Sequence, residues 1–144
     1  MKLNLITIAK RAPDWVQAAC DEYTKRFAMP WQFTIKNVPN DVRMLEALPQ
    51  KGIVLALDER GEAWSTNTLA KKLEHWQQSA GEATFLIGGA EGLTTDVKAR
   101  ATDHWSLSAL TLPHQLAKII CVEQLYRAYT ILHNHPYHRA GERK

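Results

Sequence analysis

With 144 residues the chain has room for one domain around a single buried core, spanning 1–144, and not for two. Hydrophobic residues at 45% and charged residues at 23% exclude a disordered or fibrous chain and fit a folded globular one. The formal net charge of +3 admits a polyanionic partner without demanding one. Cys20 and Cys121 form no C-x-x-C pair and fall in apolar helical patterns, so both are expected as buried, reduced thiols with no metal. The N-terminus lacks the apolar stretch of a signal peptide, and no run approaches the ~18 apolar residues of a membrane span. A cytoplasmic protein with no membrane contact is expected.

In chain order, residues 3–9 read as a strand. Pro13 and Asp14 open a helix whose Trp15, Val16, Ala19, Cys20, Tyr23 and Phe27 recur at three- and four-residue spacing. Residues 31–38 form a second strand, ended by Pro39 and Asn40, and a short helix covers 42–48. The apolar run 52–57 is a strand covered on both faces, and Asp58, Glu59, Arg60 and Gly61 are expected to turn the chain. Ser65 or Thr66 caps a helix with Leu69, Leu73 and Trp76 inward and Lys71 and Lys72 outward. Residues 83–87 make another buried strand, a brief helix covers 94–101, and a strand follows around 105–108. Pro113 is expected at the first position of a last helix running to about Leu132. Trp15, Trp31, Trp76 and Trp105 are expected in the core. Lys10 and Arg11 face RNA or water.

Alternating buried strands and helices predict an α/β fold, a parallel sheet with helices on both faces. In the last helix, Ile119, Val122, Leu125, Tyr126, Tyr129 and Leu132 cover one broad face, while Leu116, Ile120 and Ile131 lie opposite. A helix apolar nearly all round must be covered nearly all round, which points to a second copy of the chain, a central helix in a monomer being the competing reading.

Chemistry concentrates in three places. The loop 88–92, Gly88-Gly89-Ala90-Glu91-Gly92, follows a buried strand where open α/β sheets bind ligands, yet it is neither a dinucleotide fingerprint nor a P-loop. A tight turn with no ligand explains it equally well. The connection Leu107-Ser108-Ala109-Leu110-Thr111-Leu112-Pro113-His114 is unusually apolar, and its backbone, if buried, packs under other segments or against an apolar ligand such as an adenine ring. Residues 133–144 form a polar tail beyond the packed body, in which His133, His135, Tyr137, His138 and Arg139 cluster. The tail is read three ways: solvated, metal-binding through its histidines, or folded over a pocket with Tyr137 and His138 handling protons and Arg139 meeting phosphate.

The stretches 86–92, 105–114, 123–128 and 135–139, with 13–16 and 23–27, resemble the ribosomal RNA large subunit methyltransferase H family of the SPOUT, or α/β-knot, methyltransferases. The resemblance covers nearly the whole chain in order. It implies a C-terminal trefoil knot, an exception to the usual avoidance of threading. It also implies a homodimer, S-adenosyl-L-methionine as cofactor, and methyl transfer to N3 of a pseudouridine in 23S ribosomal RNA, with DNA not a partner. By position, the cofactor pocket comprises Leu57, Gly88, Leu107, Ser108, Ala109, Leu110, Thr111 and Leu112. Catalysis falls to His138 as proton acceptor or relay, Tyr137 as base positioner and Arg139 as a phosphate or carbonyl contact. Competing readings are a related enzyme for another RNA base, a non-catalytic RNA-binding assembly factor, and a metal-dependent hydrolase built on the tail histidines.

Overall fold

The apolar runs of the sequence become parallel strands because each needs cover on both faces. The computed structural model describes residues 1–9 and 11–139. Lys10 and the basic end at 140–144 lie outside the described residues. In chain order the elements are β1 (Lys2–Ile8), α1 (Asp14–Thr24), β2 (Gln32–Val38), α2 (Asp41–Ala47), β3 (Ile53–Ala63) and α3 (Thr66–Ser79). They continue with β4 (Glu82–Ile87), α4 (Thr95–Arg100), β5 (Asp103–Ser106) and α5 (His114–Leu132). One five-stranded sheet has the order β2-β1-β4-β3-β5, and all its pairings are parallel.

Successive strand residues point to opposite faces, which divides the core into two layers. Leu3, Leu5, Leu55, Ala83, Phe85 and Ile87 face Val16 and Cys20 of α1, Leu69, Leu73 and Trp76 of α3, and Cys121, Val122 and Leu125 of α5. Ile6, Val54, Ala56 and Leu86 face the other way, against Met44 of α2 and Val97 of α4. This is the expected parallel sheet covered on both sides. Both cysteines are buried and unpaired.

Helix starts follow local chemistry. Asn40 accepts from the Arg43 N–H at 2.9 Å, and Ser65 accepts from the Thr68 N–H at 3.1 Å, each satisfying a donor the helix leaves open. Pro113 occupies the cap position of α5, one residue before the expected first turn, with ψ of 146°.

Three expectations are corrected. Asp58 to Gly61 do not turn the chain back: Leu57 and Glu62 both pair with Trp105, so the residues between them bulge out and β3 resumes in the same direction. Gly61 permits this, because a Cβ there would lie 2.6 Å from the His104 carbonyl. Trp15 is 56% exposed, on the outer side of α1, while Trp31, Trp76 and Trp105 are buried. Tyr137 is half-buried and packs on the core, so the chain after α5 folds back onto the body instead of leaving it. No helix among the described residues is long and apolar enough to cross a membrane.

Candidate active site

Three segments converge at one end of the sheet: the bulge within β3 after Leu57, the loop after Ile87 that follows β4, and the stretch after Ser106 that follows β5. They enclose a cavity of about 490 Å³, closed on one side by His114 and Ala117 of α5. Ligands of open α/β sheets bind at this end of the strands. Of the residues expected to hold a cofactor, Leu57, Gly88, Leu107, Ser108, Leu110 and Leu112 line the cavity. Ala109 and Thr111 are exposed and off its wall, although Thr111 reaches across to donate to Glu59 at 3.2 Å.

The stretch after β5 is held by its own side chains. Ser106 Oγ donates to the Ser108 carbonyl at 3.0 Å, and Ser108 Oγ accepts from the Leu110 N–H at 2.9 Å. Residues 108–112 make no backbone-to-backbone hydrogen bond among the described residues. Peptide groups with part of their hydrogen-bonding capacity open therefore lie beside Leu107, Leu110 and Leu112 in the cavity wall. Gly88, in the cavity lining, is also needed for the shape of its own loop. A Cβ there would meet the Gly92 carbonyl carbon at 2.4 Å and the Leu93 nitrogen at 2.7 Å, so its bareness lets the loop close on itself.

Sequence reasoning missed the cavity's charged rim and its floor. Asp58 accepts from the Arg60 N–H at 3.0 Å and pairs with Lys98 at 3.4 Å. The backbone N–H first, and then the lysine charge, hold its carboxyl below the usual range against the opposing effect of burial. Trp105 forms part of the wall, stacked on Trp64 at 5.4 Å and 14°. Trp64 in turn carries Lys72 over its ring at 4.5 Å. Proximity to a bulge and a distant helix left no local mark on these residues.

Tyr137, His138 and Arg139 do not line the cavity of their own chain. They fold back against the middle of α5. Glu123 stands about 9 Å farther along that helix than the cavity-lining Ala117, at 1.5 Å per residue. Tyr137 Oη donates to Glu123 Oε2 at 2.7 Å, and Arg127 donates to the same oxygen through Nη2 at 2.8 Å and Nε at 3.0 Å. Burial first, then the bond to the Glu123 carboxylate, push the Tyr137 phenol well above its ordinary range, so it acts as a donor. The Glu123 carboxylate likewise raises the Arg127 guanidinium. His138 Nδ1 lies 3.2 Å from Arg127 Nη1, and Arg139 is exposed.

The other tail histidines are engaged separately: His133 Nδ1 meets the Tyr129 carbonyl at 2.8 Å, and His135 Nδ1 accepts from the Tyr137 N–H at 3.2 Å. Among the described residues no group of three or more His, Cys, Asp or Glu side chains is placed to hold a metal ion.

Comparison with known proteins establishes the family. A family model described as "Predicted SPOUT methyltransferase" matches residues 1–138. The chain is 44% identical over 146 residues to ribosomal RNA large subunit methyltransferase H of Polynucleobacter asymbioticus, covering 96% of this chain and 99% of that one. The same-named protein of Thioalkalivibrio sulfidiphilus is 41% identical over 155 residues, with 96% and 99% covered. Among solved structures, a methylase family protein of Haemophilus influenzae Rd KW20 superposes with a TM-score of 0.64 at 12% identity, covering 96% of this chain and 70% of that one. The SpoU methyltransferase AviRb of Streptomyces viridochromogenes, in complex with AdoMet, superposes with a TM-score of 0.51 at 13% identity, covering 90% and 57%. At such identities the structural likenesses establish the fold, and the sequence matches establish the kinship: the chain belongs to the SPOUT methyltransferases, and within them to the ribosomal RNA large subunit methyltransferase H family.

Proposed function

We propose that this protein methylates N3 of a pseudouridine in 23S ribosomal RNA, as a homodimer with S-adenosylmethionine in the cavity at the ends of β3, β4 and β5. The observation that carries the reading is the cavity wall formed after β5. Leu107, Leu110 and Leu112 offer apolar surface, while peptide groups of 108–112 keep donors and acceptors open at the same place. An adenine ring needs that combination, flat apolar faces with a polar edge. When bound, S-adenosylmethionine supplies a methyl group on a positively charged sulfur. Leu57 and Trp105 close the cavity from the β3 and β5 sides, and the ionised Asp58 at the rim suits a cationic ligand. The fold's AdoMet-bound relative AviRb and the family's name support the cofactor and the RNA substrate.

Dimerisation answers a distance problem. Tyr137, His138 and Arg139 lie away from their own cavity, and the apolar side chains nearest to it in sequence are uncovered. Leu110 is 71% exposed and Leu116 is 42% exposed, on either side of the cavity-lining His114. A second copy covering these residues would bring its own Tyr137, His138 and Arg139 to this cavity, two incomplete sites completing each other. In this reading the stretch after β5 is the final segment of the trefoil knot, and threading keeps its peptide groups fixed around the cofactor. Tyr137 then positions the base, Arg139 meets a phosphate, and holding base and cofactor in line supplies much of the rate.

The experiment is transfer of radiolabelled methyl to ribosomes and 23S ribosomal RNA lacking the modification, followed by nucleoside analysis. Label in N3-methylpseudouridine is the expected result. Label in another nucleoside would redirect the substrate, and absence of cofactor binding by calorimetry would end the enzyme reading. Sedimentation of a single-chain mass at micromolar concentration would remove the shared site.

A further inference from the structure

The hydrogen bonds around the tail decide which nitrogen of His138 carries its proton. Nδ1 faces Arg127 Nη1 at 3.2 Å. A guanidinium has donors only and keeps its proton in proteins, so Nδ1 must be the accepting lone pair. The neutral ring then carries its hydrogen on Nε2. Arg127 is itself held in place: Nε and Nη2 both donate to Glu123, and its guanidinium lies 4.8 Å from the Tyr137 ring centre. His138 Nε2 is covered and has no hydrogen-bond partner among the described residues. Covered polar atoms without partners are rare in folded proteins, and binding of a ligand is one way they are satisfied.

We infer that Arg127 is a positioning residue that locks His138 in the Nε2–H tautomer, so that His138 offers the substrate a hydrogen-bond donor and not a base. The inference rests on the methyl-transfer reading for the identity of the acceptor, a nucleobase carbonyl oxygen next to the nitrogen that is methylated. Loss of the N–H proton leaves negative charge shared with the flanking carbonyls, and a fixed donor aimed at one of them stabilises that charge. The proton leaves to solvent, and the imidazole remains neutral throughout. This replaces the expectation of His138 as proton acceptor, because its one lone pair already serves Arg127.

Two measurements test it. In protein labelled with ¹⁵N-histidine, the ring-nitrogen shifts of His138, assigned by their absence in His138→Gln, report the tautomer in the free protein. Expected is a pyridine-type Nδ1 and a pyrrole-type Nε2. Arg127→Met should move both nitrogen shifts toward the averaged values of a free imidazole, which favours Nε2–H only in part, and Arg127→Lys, which also only donates, should keep the wild-type shifts. In single turnover, His138→Gln offers an amide N–H in place of Nε2–H but cannot serve as a base. It should retain about tenfold more activity than His138→Ala, a part of the roughly 10²–10³-fold that a single donor to a developing anion commands. A pyrrole-type Nδ1 or a doubly protonated ring in the wild type overturns the lock. Equal loss in His138→Gln and His138→Ala overturns the donor role. Because the nitrogen shifts need no RNA, the tautomer is decided even if the methyl-transfer reading fails.

Discussion

Tyr137 reaches back fourteen residues to Glu123, its phenol donating to Oε2 at 2.7 Å, and so fastens the chain end to the middle of α5. Tyr126 packs edge-on against the same ring at 4.9 Å, and Arg127 covers it. A charged acceptor, an aromatic neighbour and a guanidinium together turn a polar tail into an ordered element.

The clasp should be measurable as a local opening. A hydrogen bond to a charged group contributes about 1.5 kcal/mol, so Tyr137→Phe should speed amide exchange across residues 133–139 by roughly tenfold. Exchange in α3, which makes no contact with Tyr137 in the aromatic cluster, should be unchanged. Glu123→Ala combined with Tyr137→Phe should cost less than the sum of the two, since each removes the bond between these two side chains. Hydrogen exchange read by mass spectrometry checks both statements, and additive effects would show that the pair is not coupled.

The raised Tyr137 phenol gives the clasp a pH limit. The folded-state value lies above the unfolded one, so its stabilisation is complete below the ordinary tyrosine range near pH 10 and is lost as pH rises through the folded value. Absorbance titration of the four tyrosines should therefore show a late step. That step should be missing in Tyr137→Phe. A late step surviving the substitution would assign it to another tyrosine.

Gly88 and Gly89 are neighbours with opposite tolerances. Gly88→Ala forces a methyl against the backbone of Gly92 and Leu93, and the overpacking should cost about 1–3 kcal/mol and weaken cofactor binding. Gly89→Ala meets only the Ile8 side chain at 3.5 Å, an ordinary contact, and should bind normally. Thermal unfolding and calorimetry with S-adenosylmethionine separate the two.

Lys118 is buried in α5, donating from Nζ to Asn37 Oδ1 at 3.1 Å, while Asn37 also accepts from Thr7 at 2.6 Å. Burial lowers its pKa, opposed by the nearby Asp21 carboxylate, so the folded state disfavours the protonated amine. At neutral pH that is a stability cost, relieved as pH rises from the folded value toward the unfolded one. Lys118→Met keeps the volume, leaves Asn37 its bond to Thr7 and removes the charge. It should unfold at the same temperature as the wild type or higher. A lower midpoint would mean that the lysine bond to Asn37 outweighs the cost of its burial.

How much of this was legible depends on the range of the physics involved. The strands could be read because a parallel strand buried on both faces needs a continuous apolar run, as in Val54, Leu55 and Ala56. Leu107, Leu110 and Leu112 border the cavity, and the unusual apolarity of the connection Leu107 to Leu112 could be read. The bulge after Leu57 could not: Asp58, Glu59, Arg60 and Gly61 have the composition of a turn, and only the approach of Gly61 to the His104 backbone makes them a detour within a strand. The role of Glu123 and Arg127 could not be read either, because nothing in their own turn of α5 announces a tyrosine arriving from fourteen positions later.

The sequence by itself determined the alternation of elements, the two-sided sheet, the apolar stretch after β5 and the kinship of the chain, all carried by local pattern or by residues kept in order. Tertiary structure alone decided that three distant connections meet in one cavity, that the tail returns to α5, and that Arg127 claims one nitrogen of His138. Those outcomes depend on the directions of backbone and hydrogen bonds between segments far apart in the chain, and composition and spacing do not encode direction.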